Sequence, residues 1–219
     1  DDGGVRCWGS NQEGQSDVPI NLQNPIAISS GAFHSCAVDD NGLHCWGRDY
    51  SRQQAVANDL TNILAVSASS GHTCVLNDNI IRCGGSNGDG QSDVPSTLHN
   101  PIAISAGAQH TCAIDNSGVL CWGANNYGQT IVPAGLVNPV SISAGDYHTC
   151  AIDDNGLQCW GLNNWGELDV PETLVDPTAV SAGGNYTCAI DGNGVQCWGR
   201  ERSTTVVVGP PHRQASRAP

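Results

Sequence analysis

The chain contains no lysine: its eight basic residues are all arginine, set against 21 acidic ones for a net charge of −13. Within residues 1–199 four arginines face 20 carboxylates, whereas residues 200–219 hold four arginines and one glutamate. So acidic a body repels phosphate backbones, which argues against a nucleic-acid partner and suits solubility outside the cell. No run approaches the ~18 apolar residues of a membrane span. No long segment keeps a helical period, which disfavours a helical solenoid. The eleven cysteines include no CxxC pair, so zinc is not expected. GxSxG, HExxH and a phosphate loop are also lacking, and no Cys/His or paired-carboxylate cluster stands outside the repeats. These absences point away from an enzyme and from any cofactor. No secretory leader opens the sequence. Asp1-Asp2-Gly3-Gly4 instead matches the turn Asp191-Gly192-Asn193-Gly194, as in a chain trimmed inside a hairpin.

What is present is one short stretch used about six times. His148 to Gly161 reads HTCAIDDNGLQCWG, and its cysteines recur every 38 residues: Cys36, Cys74, Cys112, Cys150 and Cys188 in the first arm, and Cys7, Cys45, Cys83, Cys121, Cys159 and Cys197 in the second. A β-rich arm, an Asx-Gly turn and a second β-rich arm predict a hairpin. With residues 153–156 at the tip, Cys150 stands opposite Cys159. Facing Cβ atoms lie about 4.5–5.5 Å apart, close to the roughly 3.5–4.5 Å that a disulfide needs. The expected bridges are therefore Cys36–Cys45, Cys74–Cys83, Cys112–Cys121, Cys150–Cys159 and Cys188–Cys197, with Cys7 unpaired. Such pairing fits an oxidising compartment, hence a secreted or cell-surface protein. Each bridge closes a loop of about ten residues, worth roughly 2–3 kcal/mol.

The units run 1–38, 39–76, 77–114, 115–152, 153–190 and 191–199 onward. After each second arm comes a loop ending in Val-Pro: NQEGQSDVP (11–19), NGDGQSDVP (87–95), NNYGQTIVP (125–133) and NNWGELDVP (163–171). Counting strands around VP, AIS, HTCAI and LxCWG gives four per unit. Four short strands repeated around an axis predict an all-β propeller of four-stranded blades, with six units and the sixth truncated; a seven-bladed or open ring is the alternative. Trp8, Trp46, Trp122, Trp160 and Trp198 share one repeat position and are expected in the core. Unit three has Gly84 there. Unit two departs most, losing the GQ and the proline, and residues 55–68 are expected to hold a short helical turn. Residues 1–199 thus form the propeller and 200–219 a basic tail that closes the ring or docks elsewhere. Either 204–208 (TTVVV) replaces a lost strand or a neighbouring chain completes the ring, with Arg200, Arg202, Arg213 and Arg217 available for self-assembly.

The elements SAGxxHTCAIDxxGxxxCWGxNxxGQ, present at residues 143–161 and 124–129, resemble the repeat family named after the regulator of chromosome condensation. The wording of residues 122–133 is similar to that of the secreted propeller inhibitors of β-lactamases in that family. The resemblance covers residues 1–199 and implies a propeller whose function is binding.

Hairpin geometry puts the loop before the first arm and the loop after the second at one end. Positions there vary while their flanks repeat: Phe33, Gly71, Gln109, Tyr147 and Asn185 before, and Glu13, Ser51, Asp89, Tyr127, Trp165 and Ser203 after. Phe33, Tyr50, Tyr127, Tyr147, Trp165 and Tyr186 form a candidate aromatic rim for a protein or carbohydrate ligand, and the resemblance implies the same face. The function expected is non-catalytic extracellular binding, with a structural subunit of an assembly or an enzyme inhibitor as alternatives. His34, His72, His110 and His148 recur at one position and are expected to bond their own blade's backbone and not a metal. The Asx tips are expected to be turn formers and not calcium ligands. Asn185-Tyr186-Thr187 is a candidate glycosylation site.

Overall fold

The computed structural model describes residues 4–56, 60–78 and 80–200. Within them lie fifteen strands in five antiparallel sheets, each ordered as it occurs in the chain. Blade one holds β1 (Ala27–Ser30), β2 (His34–Asp39) and β3 (Gly42–Gly47). Blade two holds β4 (Ile63–Ala68), β5 (His72–Asn77) and β6 (Ile81–Gly85). Blade three holds β7 (Ala103–Ala106), β8 (His110–Asp115) and β9 (Gly118–Gly123). Blade four holds β10 (Ser141–Ala144), β11 (His148–Asp153) and β12 (Gly156–Gly161). Blade five holds β13 (Ala179–Ala182), β14 (Tyr186–Asp191) and β15 (Gly194–Gly199). This is a β-propeller architecture of repeated blades, and each blade straddles a boundary of the 38-residue sequence units.

The hairpins form where the Asx-Gly turns demand them. In blade four Asp153 faces Gly156 and Cys150 faces Cys159, and Gly156 takes φ 109°, a conformation that favours glycine. All five expected cysteine pairs are disulfides, and Cys7 is free. The middle strand of an inner blade is buried on both faces, because one face meets the preceding blade and the other the following blade. Between blades two and three, Cys74, Leu76 and Ile81 pack on Ala113 and Trp122.

Four expectations change. The fourth segment, around Val18-Pro19 and its repeats, forms no regular ladder. Its prolines have no N–H to pair, and its anchor is instead the preceding Gln carbonyl, which accepts from Trp Nε1 and from a hydroxyl. Gln91 O, for example, takes Trp122 Nε1 at 3.0 Å and Thr111 Oγ1 at 2.8 Å. Unit two keeps the glutamine as Gln53, while Arg52 takes the glycine position at φ 58°. Residues 63–68 are strand β4, not helix; 57–59 lie outside the described residues. Finally, Trp46, Trp122 and Trp160 are buried and Trp198 is half-buried, but Trp8 is 88% exposed, because Cys7-Trp8-Gly9 has no hairpin partner strand among the described residues. The closing segment 204–208, Ser203 and the tail arginines 202, 213 and 217 lie outside the described residues.

Gly84 finds its complement in the divergent connector. A Cβ placed on Gly84 would stand 3.4 Å from Val56 Cβ, and Val56 is buried in the cluster with Val38, Ile63 and Val75. Val56 therefore fills space that a tryptophan ring takes in the other blades.

Candidate binding rim

The two loops at the non-tip end of each hairpin are tied together by one backbone bond per blade. Arg48 N donates to Phe33 O, Ser86 N to Gly71 O, Ala124 N to Gln109 O, Leu162 N to Tyr147 O and Arg200 N to Asn185 O, at 2.7–2.9 Å. The outgoing loop is then stiffened from within. Tyr127 N donates to Gln129 Oε1 at 2.9 Å, Ser51 N to Gln53 Oε1 at 3.0 Å and Trp165 N to Glu167 Oε2 at 2.8 Å, with Gln53, Gln91, Gln129 and Glu167 all buried. Side-chain oxygens of Asp49, Asn125 and Asn163 accept a backbone N–H five residues on. Aromatic residues on these loops thus stand on a fixed backbone.

They gather in three groups. The Arg48 guanidinium lies 5.0 Å from the Phe33 ring centre and 4.3 Å from that of Tyr50, which is 77% exposed. Tyr127 and Tyr147, from blades three and four, meet edge to face at 5.4 Å. Arg200 covers Trp165 at 4.5 Å. A stacked guanidinium keeps its N–H edge free for a partner, so each group offers an apolar plane beside polar donors.

Tyr186 stands apart from them. It begins β14 in the register of the histidines and lies over Gly183, where an added Cβ would fall 2.5 Å from its Cζ. Asn185 is half-buried beside the Arg200 bond, and the Thr187 hydroxyl of the same sequon is buried.

The histidines do not bond their own backbones as expected. Each reaches the next blade: His34 Nε2 to Thr73 Oγ1, His72 to Thr111, His110 to Thr149 and His148 to Thr187, at 2.7–2.9 Å. Because Thr111, Thr149 and Thr187 donate to Gln91 O, Gln129 O and Glu167 O, the histidine Nε2 of each of these pairs is the donor. Burial pulls His72 and His110 down to about 4 and lowers His34 and His148 too, so all four are neutral at physiological pH. The hairpin-tip carboxylates are equally committed. Asp39 accepts from Gln23 N, Asn41 N and His44 Nε2, and Asp153 from Val137 N and Asn155 N. Burial alone would raise these two carboxyls, but the bonds outweigh it and hold them below their usual range. Among the described residues no His/Cys/Asp/Glu group is arranged to hold a metal.

Comparison with known proteins bears on the fold. The regulator of chromosome condensation (RCC1) repeat matches at residues 26–53, 102–129 and 140–166. The fold is that of an RCC1-type repeat propeller. The ectodomain of the Physcomitrella patens receptor kinase CR4 superposes with a TM-score of 0.73 at 24% identity, over 89% of this chain and 57% of that one. The ectodomain of the Arabidopsis thaliana receptor kinase ACR4 gives 0.71 at 26% identity, over 89% and 75%. Prp20p from Saccharomyces cerevisiae gives 0.66 at 17% identity, over 81% and 57%. The propeller therefore spans little more than half of the moss and yeast structures. No curated protein sequence matches it significantly.

Three features of the propeller were missed in the sequence: the histidine–threonine bonds, the glutamine staple under each rim loop, and the Val56 complement of Gly84. A signal for the second was present, since Gln15, Gln53, Gln91 and Gln129 recur at the 38-residue period with Glu167 in the fifth place.

Proposed function

We propose that this propeller is an extracellular, non-catalytic binding module that holds a partner protein against the rim formed by Phe33, Tyr50, Tyr127, Tyr147 and Trp165. The observation that carries the reading is the set of partly exposed aromatic rings set against Arg48 and Arg200 or, for Tyr127 and Tyr147, edge to face against each other, on loops stapled from beneath. Rigid aromatic and arginine side chains give large contact area at small entropic cost, which is what binding hot spots use. Five disulfides and the likeness to the Arabidopsis ectodomain support the extracellular address. The wording of residues 122–133 makes a hydrolase such as a β-lactamase one partner to try first. A glycan added at Asn185 would bound the rim at blade five, and a mass shift on enzymatic deglycosylation tests for it.

The test is cross-linking of the folded chain to proteins of its native extracellular fraction, followed by mass spectrometry. Partners captured by the unaltered chain should be lost on Tyr50→Ala or Trp165→Ala and kept on Asn41→Ala or Asn155→Ala at the opposite end. Loss confined to the tip variants would refute the rim. Capture competed away by free sugars would point to a carbohydrate ligand instead.

A further inference from the structure

The end of the propeller opposite the aromatic rim carries a repeated arrangement of its own. There the chain enters each blade one residue before the regular ladder begins. Ile102 N donates to Ile114 O at 2.8 Å and Val140 N to Ile152 O at 2.9 Å, next to the hairpin tips at Asp115 and Asp153. In blade two a register shift between Ile63 and Ala65 leaves Leu64 at the equivalent place. Leu64, Ile102 and Val140 are 56%, 62% and 69% exposed, although the blades that hold them have a described blade on either side. Ile26 continues the row in blade one, and Val137 adds an exposed aliphatic side chain at the tip end of blade four. The first strands of successive blades pack side by side, so these residues form an arc and are not singly scattered.

Packing does not require these side chains. At the same position blade five has Thr178, whose N–H makes the same bond to Ile190 O at 2.8 Å. The fold accepts a polar residue there, and the other blades nonetheless expose an aliphatic one.

Carboxylates are clamped beside the arc. Asn62 and Asn138, two residues before Leu64 and Val140, take φ 54° and 50°, in the left-handed region that asparagine tolerates. From there Asn62 Nδ2 donates to Asp78 Oδ2 at 2.9 Å and Asn138 Nδ2 to Asp154 Oδ2 at 2.7 Å, and Asn24 holds Asp40 in the same way near Ile26. All three aspartates are exposed. Blade three has Asn116 at this position and blade five Gly192. The arginines of the blades are placed elsewhere, Arg48, Arg52 and Arg200 in the rim loops and Arg82 on β6.

We propose that this arc is a second interaction surface, taken by a segment of a partner protein in which aliphatic side chains alternate with lysine or arginine. The aliphatic side chains cover Leu64, Ile102 and Val140, and the cations reach Asp78 in blade two and Asp154 in blade four. Carboxylates already clamped by asparagine lose little side-chain entropy when a cation arrives. A second copy of this chain is a poor occupant, because it would set the same carboxylates against one another. The surface lies opposite the rim, and neither reading depends on the other.

Fluorescence anisotropy of a short labelled peptide of alternating lysine and leucine, titrated with the full chain, tests this. Binding should saturate, and should weaken as salt is raised. Leu64→Thr with Ile102→Thr should weaken it about tenfold or more. Asp78→Asn with Asp154→Asn should weaken it severalfold and flatten the salt dependence. Each of these substitutions introduces a residue that another blade already carries at that place, Thr178 or Asn116, so the melting temperature should hold. Tyr50→Ala and Trp165→Ala at the rim should leave binding unchanged. Equal affinity for a peptide of alternating lysine and serine would reduce the contact to charge attraction alone and overturn the proposal. So would an absence of binding, binding untouched by the Leu64 and Ile102 pair, or binding lost on the rim variants. Concentration-dependent dimers of the chain alone that Leu64→Thr abolishes would assign the arc to a second copy instead. Tighter binding of a peptide with the sequence of residues 204–217 would assign it to the chain's own basic segment, and either result overturns the partner reading.

Discussion

His110 in blade three donates from Nε2 to Thr149 Oγ1 in blade four at 2.9 Å, and Thr149 passes its own proton donor to Gln129 O at 3.0 Å. A single buried relay therefore joins two blades and the loop that carries Tyr127. The same relay recurs at the two flanking junctions, which makes it the polar counterpart of the apolar packing.

Its pH dependence follows from the neutral histidines. His72 and His110, normally near 6.5, are held at about 4 by burial, with repulsion from neighbouring histidines adding to it. Such groups are uncharged when folded and protonated when unfolded between about 4 and 6.5. Their contribution to stability is therefore complete above about 6.5 and lost as the pH falls toward 4. At pH 5 each should cost on the order of 2 kcal/mol. Urea unfolding at pH 7 and pH 5 measures the loss, and His110→Gln, which keeps a donor for Thr149, should reduce it. An equal slope in that variant would refute the assignment. The tip carboxylates Asp39, Asp115 and Asp153, held low, add their loss only below the ordinary aspartate value of 3.8.

Glu167 is 1% exposed; its Oε2 accepts from Trp165 N, and its Oε1 is without a hydrogen-bond partner. At the same place in blade one's outgoing loop, Gln53 directs an amide N–H to Arg48 O at 2.8 Å. Glu167→Gln should stabilise the fold by about 1 kcal/mol or more, read as a higher melting temperature. A lower one would mean that the carboxylate has a role the staple does not explain.

Val56 and Gly84 should behave as a coupled pair. Val56→Ala opens a hole where the ring is missing and should cost about 2 kcal/mol. Gly84→Trp overfills the same space at a cost of about 1–3 kcal/mol. The double variant should cost less than the sum, because the indole enters the space the methyl groups leave. Additive penalties in denaturant titrations would show that Val56 does not stand in for the ring.

Limited reduction should open the bridges in an order set by exposure. Cys112 and its equivalents in the inner blades are 0% exposed, whereas Cys197 of blade five is exposed. Alkylation after brief thiol treatment should label Cys188 and Cys197 first, beyond the free Cys7. Early labelling of Cys112 or Cys150 would contradict the blade packing.

Features written within about fourteen consecutive residues were legible in the sequence. The Asx-Gly turn sets the hairpin register, and the register alone brings Cys150 opposite Cys159. The fourth segment misled because Val-Pro flanked by turn residues reads as a strand until its carbonyls are seen to serve Trp122 and Thr111. Trp8 misled because a repeat position predicts burial only where the partner strands are also present. The histidine contacts were beyond reach for another reason: His110 and Thr149 are 39 residues apart, one step more than the period, and nothing local distinguishes a bond forward from a bond within the blade. On the rim, the sequence identified which loops share an end, while the pairing of Arg48 with Tyr50 and of Tyr127 with Tyr147 depends on side-chain geometry that no spacing specifies.

Among the described residues each blade packs on its immediate neighbours, so cooperativity is handed along from one sheet to the next. A lesion at any one junction is felt first by the two blades that share it, whose amide protons should exchange with solvent sooner than those of blades further along.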